Sequence, residues 1–208
     1  MRYSLFAFSL LTVLAMSSAA EASFYANARM GISKFDEFKS KKVLVNGAPA
    51  TITDKDKDNY SSFYAGAIGY RWDLPFLATL RTEAEYTYRM PYEQTYVVNG
   101  TNYVKDKYKI QTLMLNVGAD ITVLPLVKPY AMAGIGVTHI GVDRKVFGAA
   151  NINKPDSENE FTWTAGVGLM TSFLGVLQGD IGYRVTQIGT GGDATRAQEI
   201  ILGARLAF

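Results

Sequence analysis

The stretch "ATLRTEAEYTYR", Ala78 to Arg89, alternates without a break. Thr79, Arg81, Glu83, Glu85, Thr87 and Arg89 share one face, and Ala78, Leu80, Thr82, Ala84, Tyr86 and Tyr88 share the other. A period of two over this length excludes an amphipathic helix, whose apolar positions recur every three or four residues. The implied strand is also longer than the about 5–6 residues usual in soluble sheets. It meets the roughly 9–11 residues that a tilted membrane strand needs. An arginine facing lipid at mid-membrane costs about 2–4 kcal/mol. The charged face therefore belongs to an enclosed interior, and the other face to hydrocarbon.

Seven further segments carry the same kind of pattern, more weakly in the fourth of them: Phe24 to Ser33, Tyr60 to Trp72, Tyr108 to Thr122, Pro129 to Val142, Glu160 to Met170, Leu177 to Thr186 and Glu199 to Phe208. Their polar faces contribute Arg29, Asp120, Asp180, Arg184, Glu199 and Arg205. Glycines recur in phase with them, at Gly118, Gly134, Gly136, Gly166, Gly168 and Gly203, where they make room for larger neighbours or mark bends.

The connections sort by parity. Those after the second, fourth and sixth segments are short: Asp73 to Leu77, Val123 to Lys128 and Ser172 to Val176. Those after the first, third, fifth and seventh are longer and polar: Lys34 to Asn59, Met90 to Lys107, Asp143 to Asn159 and Gly189 to Ala197. Short turns at one end and long loops at the other mark an outer-membrane barrel. A closed sheet also satisfies every backbone hydrogen bond in lipid without leaving an edge. The expected fold is all-β, an eight-stranded antiparallel transmembrane up-and-down barrel with short periplasmic turns and long extracellular loops.

Composition agrees where it bears on this. Mean hydropathy is +0.02, which excludes a bundle of membrane helices but not a barrel whose two faces cancel. With no cysteine there is no disulfide framework and no thiolate metal site. A net charge of +2 excludes the basic footprint of a nucleic-acid binder. Arg2, the apolar run Leu5 to Met16 and the small residues Ala20 and Ala22 read as a secretory signal peptide over residues 1–22, cleaved after Ala22 or, alternatively, Ala20. Residues 23–208 then form the barrel.

The last segment, "EIILGARLAF", places Ile200, Leu202, Leu206 and Phe208 toward lipid. An alternating strand closed by an aromatic resembles the C-terminal insertion signal of outer-membrane barrels. Together with "GAIGYRW" and "KPYAMAGIGV", it makes the whole mature chain similar to the small eight-stranded family of opacity-type surface antigens and the barrel of outer membrane protein A. The resemblance implies insertion from Phe208 through the barrel-assembly machinery, a monomeric barrel, contact with outer-membrane lipid and lipopolysaccharide, and no cofactor. No domain is expected after Phe208, so the peptidoglycan-binding role of the larger members is not implied.

The interior charges Arg29, Arg81, Glu83, Glu85, Asp120, Asp180, Arg184 and Arg205, with Arg89 and Glu199 toward the loop end, are balanced enough to form an ion-pair network filling the lumen. The same set admits a gated pore or proton path. A hydrolytic pair at Glu83 and Glu85, about 6–7 Å apart on one strand, competes with the simpler reading in which Arg81 and Arg205 are their counter-ions. His139, the one histidine, lacks a local nucleophile and orienting group. "TDKDKDN" (Thr53 to Asn59) starts like a calcium loop but has Asn59 and Ala65 where Gly and Glu are required. No catalytic, cofactor or metal residue is therefore expected.

Tyr70, Trp72, Phe76 and Phe208 are expected to form an aromatic girdle on the turn side, with Tyr86, Tyr88 and Phe161 near the upper one. Asn99-Gly100 reads as a hairpin turn that extends the wall above the membrane. Lys39, Lys41, Lys42, Lys105 and Lys107 suit anionic sugars and phosphates. The functional expectation is a non-enzymatic surface protein of the bacterial outer membrane whose loops touch the envelope, a host or another cell. The alternative is a narrow channel for ions or small solutes.

Overall fold

The computed structural model describes residues 22–36, 44–45, 48–49, 52–54, 60–74, 78–98, 102–122, 127–147, 153–173, 176–190 and 194–208. The signal-peptide expectation covers residues 1–22, of which 1–21 lie outside the described residues and Ala22 opens the first strand; Lys39, Lys41, Lys42, Phe76, Asn99, Gly100 and most of "TDKDKDN" also lie outside them.

Eight long strands dominate the described residues: β1 (Ala22–Phe35), β5 (Tyr60–Leu74), β6 (Ala78–Val98), β7 (Asn102–Ile121), β8 (Val127–Phe147), β9 (Asn153–Ser172), β10 (Leu177–Ile188) and β11 (Thr195–Ala207). Three short ones, β2 (Leu44–Val45), β3 (Ala48–Pro49) and β4 (Ile52–Asp54), lie between β1 and β5. Each long strand pairs antiparallel with its neighbours, and the β1–β11 ladder closes the sheet into a barrel. The closing ladder runs from Tyr25 opposite Ala207 to Phe35 opposite Ala197. Beyond it, the Phe208 amide donates to the Phe24 carbonyl at 2.9 Å.

The two faces separate as the pleat requires. Ile68, Leu115, Val117, Ile135, Val167, Ile181, Ile200 and Leu202 are exposed around the outer wall. An apolar belt this continuous, unmatched on ordinary soluble monomers, faces hydrocarbon. On the turn side, Phe24 packs edge-on against Tyr70 at 4.9 Å, and Tyr70 against Trp72 at 4.8 Å. Tyr60, Tyr64, Tyr86, Tyr88, Phe161 and Tyr183 are exposed on the upper part of the wall.

The wall is taller on one side than alternation alone suggested. The stretches Met90 to Lys107 and Asp143 to Asn159, expected as loops, are strand for most of their length. Pairing continues to Val98 opposite Asn102 and to Lys145 opposite Asn153. By contrast, β10 and β11 part at Ile188 and Thr195, and β1 and β5 at Lys34 and Tyr60. The physical reason is that, above hydrocarbon, no lipid imposes an apolar outer face. Hydropathy then loses its period of two while backbone pairing persists. Pro91, which has no amide proton to donate, sits where β6 loses β5 as a partner and shifts register against β7 between Arg89 and Tyr92. Higher up, β4 pairs with the same strand at Tyr96 to Val98.

Candidate functional site

Charge is concentrated inside the barrel, where six side chains form a ladder of alternating sign. Glu83 accepts from Arg29 Nη1 at 2.6 Å, and Arg29 Nη1 also donates to Glu85. Glu85 accepts from Arg184 Nη1 at 2.6 Å. Arg184 Nε donates to Glu199 at 2.6 Å, and Arg89 Nη2 donates to the other oxygen of Glu199, again at 2.6 Å. Three arginines thus neutralise three glutamates, each at most 5% exposed. Hydroxyls satisfy the remaining oxygen lone pairs: Tyr25 on Glu83, Thr87 on Glu85, and Ser33 and Thr186 on Glu199. Such saturation is what lets ionised groups persist out of water.

A second cluster lies toward the turns. Asp120 is shared between Arg81 Nε at 3.1 Å and Arg205 Nη1 at 3.7 Å. Asp180 accepts from the Tyr130 hydroxyl at 3.1 Å. The Arg81 guanidinium stacks over the Tyr130 ring at 4.7 Å and that of Arg205 over the Tyr25 ring at 4.6 Å. Glycine makes this packing possible. A Cβ at Gly118 would meet Arg81, one at Gly134 would meet Asn116, and one at Gly168 would meet Tyr130.

At the loop end the lumen turns apolar. Phe35, Ile110, Ile188 and Ala197 form a buried cluster, with Tyr108 and Ile140 packed against it. Between this cap and the ladder runs a chain of hydroxyls, Arg89 to Thr112 at 2.8 Å, Thr112 to Thr138 at 2.9 Å and Thr138 to Thr162 at 2.6 Å.

The structure brings Arg29, Glu83, Glu85 and Arg184 into the first group, with Arg89 and Glu199, and Arg81, Asp120 and Arg205 into the second, with Asp180 beside Tyr130. One sequence assignment changes. The counter-ions of Glu83 and Glu85 are Arg29 and Arg184, reaching from β1 and β10, while Arg81 and Arg205 serve Asp120. Both glutamates are saturated acceptors inside the barrel, an arrangement unlike that of a general acid and base awaiting substrate. His139 lies on the outer wall, where its Nδ1 meets Asn159 Oδ1 at 2.8 Å, in a groove lined by Tyr86, Gln111, Leu113 and Val137. It is therefore on the opposite face of the sheet from the lumen carboxylates.

Sequence reasoning did not single out Tyr25 and Tyr130 as interior groups, nor the apolar cap. Parity carried the signal for the tyrosines, since Tyr25 is in phase with Asn27 and Arg29, and Tyr130 with Met132 and Gly134. The cap had no such signal, because apolar residues on an inward face look like noise in the alternation.

The family model described as outer membrane protein beta-barrel domain matches residues 4–208. The outer membrane protein PagN of Salmonella typhimurium is 26% identical over 196 residues, covering 86% of this chain and 80% of that protein. Among solved structures, neisserial surface protein A shares the fold with a TM-score of 0.56 at 17% identity, over 90% of this chain and 99% of that one.

Proposed function

The chain belongs to the outer membrane protein beta-barrel family and resides in the bacterial outer membrane, and from that premise we propose that it is a non-enzymatic surface protein working through its extracellular side. The observation that carries this reading is the unequal wall. The β6–β9 strands stay paired well past the level at which β1, β5, β10 and β11 stop, up to Val98–Asn102 and Lys145–Asn153. At about 3.3 Å of rise per residue, this lifts a four-stranded platform into the medium. A scaffold of that kind presents loops, and loops are where recognition concentrates.

The lumen supports the same reading over the channel. The saturated ladder and the apolar cap fill it with side chains, as expected of an eight-stranded barrel. The partner chemistry that suits Lys39, Lys41, Lys42, Lys105 and Lys107 is anionic: sugar sulfates, carboxylates and phosphates on a cell surface or on neighbouring lipopolysaccharide. Residues 1–22 serve as the export leader. The β11 strand with Phe208 is the segment offered to the barrel-assembly machinery, and the working unit is a monomer.

The test is attachment of cells displaying the native barrel, compared with cells displaying a variant in which residues 94–106 are replaced by a short Asn-Gly turn. Loss of attachment with unchanged barrel assembly is expected. Unchanged attachment by that variant and by a Lys39, Lys41, Lys42 triple alanine variant would remove the proposal.

A further inference from the structure

We propose that the turn-side end of the lumen binds one small inorganic anion between Arg205, Arg81 and Arg71. Charge is the first observation. The ladder above is neutral, three arginines against three glutamates. In the layer below it, Arg71, Arg81, Lys128 and Arg205 share the inward face with three carboxylates, Asp73, Asp120 and Asp180. Arg71 and Arg81 also stand directly opposite each other in the β5–β6 ladder, a like-charge pairing that Asp73, 3.6 Å from Arg71, and Asp120, 3.1 Å from Arg81 but shared with Arg205, offset only in part.

The second observation is independent of charge counting. Arg205 is 2% exposed, yet its Nε and Nη2 have no hydrogen-bond partner. Its Nη1 reaches Met170 Sδ at 3.0 Å and Gln178 Oε1 at 3.5 Å, and the Asp120 carboxylate lies at 3.7 Å. Arg81, equally buried, has an unpartnered Nη2, and Arg71 an unpartnered Nε. Asn27, directly opposite Arg205 in the β1–β11 ladder, has an amide whose NH2 and Oδ1 are both unpartnered. Buried guanidinium groups in this condition demand an acceptor.

Among the charged groups of this layer, the unmet demand lies with the guanidinium donors. Asp120 Oδ1 and Asp180 Oδ1 also lack aligned hydrogen bonds. However, Asp120 Oδ1 already lies 3.1 Å from Arg81 Nε, and Asp180 Oδ1 fills the space where Gly203 lacks a Cβ. The Tyr25 and Tyr130 rings cover one flat face of Arg205 and of Arg81, which leaves the in-plane N–H edges to hold a ligand. The ligand enters from the periplasm, past the Arg71 and Asp73 side chains, which are 25% and 40% exposed. The ladder and cap close the other end.

Chloride is the probe. The full-length barrel refolded in detergent is titrated with chloride at constant ionic strength, with gluconate as the replacement anion, and the chlorine NMR linewidth is read. Saturable broadening is expected for the native barrel and for Lys109→Gln, which alters an outward-facing lysine at the loop end. Arg205→Gln removes the broadening, and Arg71→Gln weakens apparent affinity about tenfold, as loss of one charge-assisted contact implies. Should Arg205→Gln fail to refold, Arg71→Gln decides, because that side chain sits at the open mouth. Broadening that does not saturate, or that survives Arg71→Gln unchanged, overturns the site. The site is internal, so either result leaves the surface-contact reading standing.

Discussion

Arg184 and Glu199 stand directly opposite each other across the β10–β11 ladder, and the guanidinium Nε donates to the carboxylate at 2.6 Å. Neighbouring strands position this pair, but its surroundings extend across the barrel. Arg184 also reaches Glu85 on β6, and Glu199 also receives Arg89. Contacts between facing walls therefore turn a local cross-strand pair into one link of a lumen-wide ladder.

Removing one member of the ladder leaves buried charges without partners. Glu199→Gln is expected to cost about 3–5 kcal/mol, because Arg89 and Arg184 both lose it. Arg89→Met combined with Glu199→Gln removes the terminal pair and leaves two arginines against two glutamates. The double variant should be more stable than the sum of the two single losses by roughly 0.5–3 kcal/mol. Denaturant unfolding of the refolded barrel, followed by tryptophan fluorescence, checks both values. Strict additivity would mean that the ladder is not coupled.

The sealed lumen has an electrical consequence. Native barrel in a planar bilayer should give little conductance, since the charged ladder and the Phe35, Ile110, Ile188 and Ala197 cap fill the path. Steady large openings would restore the channel reading.

Two glycines separate packing from propensity. A Cβ at Gly168 would run into the Tyr130 ring, whereas one at Gly66 meets nothing within 4 Å. Gly168→Ala is expected to destabilise by about 1–3 kcal/mol through overpacking. Gly66→Ala should be neutral or slightly stabilising, because it lowers the entropy of the unfolded chain. Comparing their thermal midpoints in one detergent is sufficient, and equal shifts would contradict the interior packing described above.

The outer face makes the complementary test. Leu115 is 66% exposed on the belt, so Leu115→Arg should lower stability in a bilayer by about 2–4 kcal/mol. Leu115→Phe should change little. A harmless arginine there would place this level of the wall outside hydrocarbon.

Which residues face inward was legible in the sequence. Arg29, Arg81, Glu83, Glu85, Asp120, Asp180, Arg184 and Arg205 fall on the polar phase of their segments, and the structure finds every one of them buried. The pleat is local geometry, so parity alone decides the face. The height of the wall was not legible beyond Arg89, because a strand that has left hydrocarbon is under no demand to alternate. The apolar cap was hidden for the opposite reason, since Phe35 and Ile188 interrupt the polar phase that marks the interior.

The sequence by itself thus determined a barrel, its strand polarity and the division between lipid and lumen, since each follows from side-chain direction along a single strand. Only the tertiary structure decided that Glu85 meets Arg29 and Arg184 while Arg81 and Arg205 share Asp120. Partners across a lumen are set by the tilt and stagger with which the strands close into a cylinder. That quantity belongs to the whole sheet, and no single segment encodes it.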